Sequence, residues 1–232
     1  MVGLSIDDMT GENCLSDMRF TDSSAWSMKN NEDGQNDIIM YYPQLKVFAD
    51  KGIDNPYVRI HNFGTADSPD MQICVEISTP EQLQNMKNNL SGYYVLTKDI
   101  DINPGITFNA DGTYTTGKTP DEWTAIGDSS NQFKGMFDGC GYEVSGVYIN
   151  QPDKDYQGLF GYVGTGGVIK NVGVVNSYIS GMNNVGGICG TNIGKVEKSY
   201  NTGTISVAKG IAGGVCGGNS GTVQNSYNTG TI

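Results

Sequence analysis

The sequence GKVEKSYNTGTI, at residues 194–205, returns nearly unchanged at residues 221–232 as GTVQNSYNTGTI. The copies lie 27 residues apart. The segments preceding them repeat as well: VGGICGTNIG at 185–194 and AGGVCGGNSG at 212–221. A weaker copy, QGLFGYVGTGGVIKNVGVVNSYIS, fills residues 157–180. Self-similarity at a period of about 20–50 residues marks a chain built of stacked units. Glycine and Asn-Thr-Gly turns rule out long helices. Between the turns stand short alternating pieces such as Val196-Glu197-Lys198-Ser199-Tyr200 and Thr204-Ile205, as half-buried strands require. The fold expected is an all-β, right-handed parallel β-helix. Successive coils should lie about 4.8 Å apart, with Val196 over Val223, Tyr200 over Tyr227 and Ile205 over Ile232. No coil owns a core; stacking creates one.

These residues carry a family resemblance. Gly-Gly-Ile-Cys-Gly and Gly-Gly-Val-Cys-Gly, each leading into Gly-x-Val-x-x-Ser-Tyr-Asn-Thr-Gly, resemble the GLUG motif. STPEQLQNMKNNLSGYYVLTKDIDI (78–102), Trp123-Thr124-Ala125-Ile126-Gly127 and Phe133-Lys134-Gly135-Met136-Phe137-Asp138-Gly139 are similar to the same family. GLUG repeats occur in large secreted and surface-attached bacterial proteins, among them adhesins and some IgA-cleaving metallopeptidases. The resemblance covers most of residues 78–232. It implies a β-helical domain at a bacterial surface, extracellular or cell-attached, and no reaction.

Composition agrees with that class. The 232 residues include 33 glycines, and 25 acidic against 14 basic side chains leave a net charge of −11. Nucleic acid and anionic membrane surfaces need a basic patch, so neither is an expected partner. Five cysteines form no CxxC pair. Cys189 and Cys216 occupy matching repeat positions, where a disulfide or a column of buried thiols could form. Parallel side chains in a ladder offer poor disulfide torsions, which favours thiols. No run of 18 apolar residues offers a membrane span, and the first residues lack the pattern of a signal peptide. With a resemblance to secreted proteins, this makes a fragment of a longer chain the expectation.

Three regions follow. Residues 1–49 resemble the tail that closes a preceding GLUG module. Trp26 and Tyr41-Tyr42-Pro43 would cap a coil end there or, alternatively, offer an aromatic surface to a sugar. Residues 50–77 read as a linker with a strand, and residues 78–232 as the repeat domain. Within it, Thr79, Pro80 and Gln82 form a capping box for one short helix over 79–89, covering the open end of the solenoid. Residues 94–102 alternate as one strand, with Leu96, Ile100 and Ile102 on one face. Residues 103–121 form a polar excursion, a hairpin or loop, and coils resume at Trp123. A further expectation is self-association, with the segment around residues 38–48 covering the last coil of its own or a neighbouring molecule.

Catalytic motifs are missing from the sequence. HExxH would need two histidines and the chain has only His61, which also leaves histidine-based triads without a base. The Gly-Gly pairs at 186–187 and 213–214 lack the Lys and Ser/Thr of a phosphate loop. No catalytic residue and no cofactor is assigned. Asp99, Asp101 and Asn103 are the weak metal candidates, since acids two apart on a strand share a face; solvated strand-face and turn acids are the better reading, and no metal is assigned. A lyase or hydrolase acting on glycans, the rival function, would need two carboxylates about 5–10 Å apart, for which Asp138 with Glu143 or Asp153 with Asp155 are candidates. The preferred function is a non-catalytic surface repeat, adhesin or stalk, with a host or bacterial glycan or protein as partner. The outward ladders of Asn201/Asn228, Thr202/Thr229 and Thr204/Thr231 read first as stacking hydrogen bonds that satisfy neighbouring coils, with a binding surface as the alternative; binding would use the loops, residues 103–121 above all.

Overall fold

A computed structural model describes residues 26–27, 44–45, 58–64, 68–115 and 117–232. The tail region, with Tyr41, Tyr42 and the proposed 38–48 cover, lies outside these except for the backbone of two short strands. The chain divides into two compact units, residues 1–76 and residues 77–232.

In the first unit, β1 (Trp26–Ser27) pairs antiparallel with β2 (Gln44–Leu45). A second antiparallel pair joins β3 (Val58–Asn62) to β4 (Met71–Ile77), with His61 opposite Gln72. The His61 ring stands edge-on to Phe63, centroids 4.8 Å apart.

The second unit opens with α1 (Pro80–Asn85), continued by a 3-10 turn at Met86–Asn88. Its capping box is formed: Gln82 N–H donates to Thr79 Oγ1 at 3.2 Å, and Thr79 N–H to Gln82 Oε1 at 3.2 Å. Leu83 and Met86 are buried. The chain then climbs in coils. β5 (Tyr93–Leu96) and β6 (Ile100–Asp101) come first. They belong to different sheets, so residues 94–102 form no single strand. The exposed Lys98 and Asp99 mark the corner between them, and Leu96, Ile100 and Ile102 all turn inward from two sides of it.

The next coil carries β7 (Met136–Asp138), β8 (Glu143–Ser145) and β9 (Tyr148–Asn150). β10 (Phe160–Val163), β11 (Val168–Lys170), β12 (Gly173–Val175) and β13 (Tyr178–Gly181) follow. Then come β14 (Val185–Gly186), β15 (Cys189–Asn192), β16 (Lys195–Glu197), β17 (Tyr200–Asn201) and β18 (Thr204–Val207). The last coil holds β19 (Ala212–Gly213), β20 (Cys216–Asn219), β21 (Thr222–Gln224) and β22 (Tyr227–Asn228).

Like strands stack in parallel. One sheet runs β5-β7-β11-β16-β21, a second β6-β8-β12-β17-β22, a third β10-β15-β20 and a fourth β9-β13-β18, with β14 beside β19. The unit is a parallel β-solenoid. Val196 pairs with Val223 and Tyr200 with Tyr227, as the repeat requires. Inward columns such as Phe137–Ile169–Val196 and Val144–Val174 are fully buried, each side chain contributing about 1.5–3 kcal/mol. The stacking holds in the last coil, where Ile205 N–H also donates to Thr231 O at 2.9 Å and so sets Ile232 beside Ile205, but burial does not follow: Val223 is 36% exposed, since no described strand stacks on its far side, and Ile232 is 64% exposed.

The corners have their own column. Cys140, Asn171, Lys198 and Asn225 occupy the turn between the first and second sheets, and all are left-handed, with φ of 53°, 54°, 48° and 50°. Asparagine tolerates this region best among residues with a side chain, which explains its recurrence there. The 103–121 excursion begins as a hairpin, with Phe108 bridged antiparallel to Tyr114. It folds onto the fourth sheet. Phe108 stacks on Tyr148 at 5.3 Å, Tyr148 on Tyr178 at 6.1 Å, and Asn176 Nδ2 donates to Ile106 O at 2.8 Å. Gly112, at φ +82°, lies against the Tyr178 ring, where a Cβ would come within 2.6 Å of it.

Candidate functional site

Most residues singled out from the sequence hold the stack together. Asn103 is fully buried: its Nδ2 donates to Asp121 O at 2.9 Å and Gly146 O at 2.8 Å, and its Oδ1 accepts from Asp121 N at 2.7 Å. Its side chain is thus spent on backbone. The exposed Asp99 accepts from Glu143 N at 2.9 Å, and Asp101 accepts from Asn103 N at 3.2 Å. Asp138 is buried, 3.3 Å from Lys170 Nζ, and accepts from Asn171 Nδ2 at 2.8 Å. Glu143 accepts from the Tyr200 hydroxyl. Asp155 takes Asn183 Nδ2 at 2.9 Å, while Asp153 is exposed.

The polar ladder bonds from coil to coil as expected at Asn201 and Asn228, but Asn201 is not outward. It is fully buried, donating to Asn228 Oδ1 at 2.8 Å and Gly203 O at 3.1 Å. Asn192 repeats the device, donating to Asn219 Oδ1 at 2.8 Å. Thr202 and Thr229 are exposed. Cys189 and Cys216 stack in register as thiols, Sγ to Sγ 3.3 Å, below Phe160. The neighbouring Cys216 thiol and full burial push the Cys189 thiol well above its ordinary pKa. On the outer face of the first sheet, Asp138, Lys170, Glu197 and Gln224 form a charge-paired column.

One concavity of about 690 Å³ opens on the second unit, within the ~300–1,000 Å³ range of small-molecule sites. It is bounded by three stretches: Lys87 and Leu90 after α1, residues 122–131, and residues 151–157. Mutual amide bonds tie the first to the second, Gln84 Nε2 to Thr124 O at 2.9 Å and Thr124 N to Gln84 Oε1 at 3.2 Å. Trp123 is an apolar wall, with Nε1 donating to Leu159 O at 3.1 Å. Tyr156 is half-buried at φ +60°, its ring edge-on to Tyr162 at 5.5 Å. Three carboxylates stand around the opening, each held by one oxygen. Glu122 accepts from Gln151 Nε2 at 2.7 Å and Asn150 N at 3.1 Å. Asp128 accepts from Asn131 N at 2.7 Å and Ser130 N at 2.8 Å. The Asn131 N–H bond, with that of Ser130, outweighs burial and keeps the Asp128 carboxyl below its ordinary pKa. Asp155 is the third.

The sequence reading took residues 123–127 as the start of a coil and missed this cleft. Its signal is the irregular spacing. Ile126 bridges to Phe160 across far more chain than the 27-residue repeat, and the surplus forms the walls.

No known family's profile matches the chain. It is 33% identical over 139 residues to a protein described as a Gly-rich membrane protein of Evansella cellulosilytica, covering 58% of this chain and 14% of that protein. It is 32% identical over 146 residues to halomucin of Haloquadratum walsbyi, covering 62% of this chain and 2% of halomucin. The chain therefore spans a small part of either relative. No solved structure matches.

Proposed function

We propose that residues 77–232 are a non-catalytic repeat domain of a cell-surface protein, acting as a stalk or an adhesive module of GLUG type. The observation that carries this reading is the use to which the polar residues are put. Asp138, Asn103, Asn192 and Asn201 are all engaged in bonds that join one coil to the next, and Glu143 bonds to Tyr200 two coils on. A solenoid so arranged is a spacer held together by bonds between its own coils. Both relatives carry names of surface or membrane proteins, which supports the location. No helix among the described residues is long and apolar enough to cross a membrane.

Antibodies raised against residues 77–232 should label intact cells of the source organism. Labelling seen only after permeabilisation would overturn the surface assignment. Incubation with neutral and acidic polysaccharides should release no product; new reducing ends or unsaturated sugars would overturn the non-catalytic one.

A further inference from the structure

Resting on the surface-repeat reading, we propose that the cleft between residues 122–131 and 151–157 binds a segment of neutral glycan, with the Tyr156 ring as its platform. Four observations lead there.

The first is the supply of hydrogen-bonding groups. Sugar hydroxyls donate and accept at once, so they suit a surface that mixes both kinds. Glu122, Asp128 and Asp155 each have a second oxygen that bonds to no described residue. Lys87 and Lys154 also border the cleft, and neither forms an ion pair among the described residues.

The second is Gln157. It is more than nine-tenths buried and borders the cleft, yet only its Nε2 is used, donating to Asp155 O at 2.6 Å. Its Oε1 makes no hydrogen bond to a described residue. The one wholly buried side-chain polar atom without a partner among the described residues is Thr191 Oγ1, so the Gln157 oxygen stays accessible on the cleft side, where water or a sugar hydroxyl can donate to it.

The third is rigidity. Trp123 is fixed by its indole N–H and Tyr156 by its left-handed backbone and the Tyr162 edge. A fixed ring loses little side-chain entropy when a sugar's C–H face settles on it. The carboxylates are likewise held by amide donors before any ligand arrives.

The fourth is charge. Three carboxylates and two ammonium groups nearly cancel at the rim, and the whole chain carries −11. A polyanionic glycan would be repelled at long range, and a cation would meet the lysines.

The test uses the full 232-residue chain in calorimetric titrations with cellotetraose, maltotetraose, mannotetraose and chitotetraose, with tetragalacturonate as the acidic comparison. At least one neutral tetrasaccharide should bind below ~10 mM. Tyr156→Asn removes the ring while suiting the left-handed backbone. It should weaken that binding at least ~10-fold with an unchanged melting temperature. Tyr227→Ala, on the second sheet and outside the cleft lining, should leave binding intact. The proposal falls if no neutral sugar binds, if tetragalacturonate binds as well as the best of them, or if Tyr156→Asn binds normally. Failure here leaves the cell-labelling result untouched. Conversely, a bound sugar recovered cleaved would overturn the non-catalytic reading while the site stood.

Discussion

The Tyr200 hydroxyl donates to the Glu143 carboxylate two coils away, and its ring crosses Gly173 to do so. A Cβ on Gly173 would lie 2.4 Å from that ring. Gly173→Ala should therefore displace Tyr200, cost about 1–3 kcal/mol, and make a later Tyr200→Phe change nearly silent. Chemical denaturation of the single and double variants checks this; additive losses would contradict it.

The same bond sets an alkaline response. The hydrogen bond to Glu143, then burial and nearby negative charge, push Tyr200 from 10.0 up to about 12. A group raised in the folded state stabilises it fully below its unfolded pKa and loses that contribution as pH rises through the folded one. The stability difference between the parent and Tyr200→Phe should hold below about pH 10 and shrink between about 10 and 12. Parallel denaturation series at stepped pH give the readout.

Val196 is fully buried between Ile169 and Val223. Val196→Asp should cost ~3 kcal/mol or more by stranding a charge in the core. Lys198, two residues on, is exposed at φ 48°. Lys198→Asn should stabilise by a few tenths to ~1 kcal/mol, since asparagine accepts that conformation more readily. Equal melting temperatures for the two variants would defeat both assignments.

Asn201→Ala should cost about 2–4 kcal/mol, because Gly203 N and O lose their partner in a dry corner. Asn228→Ala, in the half-exposed last coil, should cost under ~1.5 kcal/mol. The ratio of these two losses, read from urea melts, reports whether the ladder depends on burial.

Burial raises the Glu197 carboxyl, but hydrogen bonds from Lys195 and Gln224 and the charges of Lys195 and Lys170 leave it below its ordinary value of 4.5. A depressed acid stabilises above its unfolded pKa, and that contribution fades as pH falls through the folded value. The parent's advantage over Glu197→Gln should be flat above about pH 5 and diminish below about 4.5. A constant gap down to pH 3 would contradict the column's charge pairing.

The fold was most legible where the copies are nearly identical. Val196/Val223, Tyr200/Tyr227 and Cys189/Cys216 pair as aligned. Alignment says which residues stack but not which are buried: Val223 has a partner on one side only and stays 36% exposed. The direction of Asn201 was lost for a related reason. An asparagine next to glycine reads as a surface turn, but here its amide satisfies the turn's own backbone from inside. The break at Lys98–Asp99 was invisible because inward residues on both sides of a corner mimic simple alternation. Trp123 and the 151–157 segment were read separately, and nothing in their local pattern shows that together with Lys87 and Leu90 they enclose a cleft.

The matched corners have a consequence for how such a protein can evolve. Excising residues 194–220 would bring Gly221 after Ile193, Val223 beside Ile169, Gln224 beside Lys170 and Tyr227 beside Gly173. Each newcomer is of the type already accepted at its place, because β21 and β22 occupy the same positions as β16 and β17. Insertion of such a segment would be tolerated for the same reason. Near-identical sequence at both ends of the unit also invites unequal recombination between its coding copies. Reach can thus change by one whole coil per genetic event, without a frustrated intermediate length.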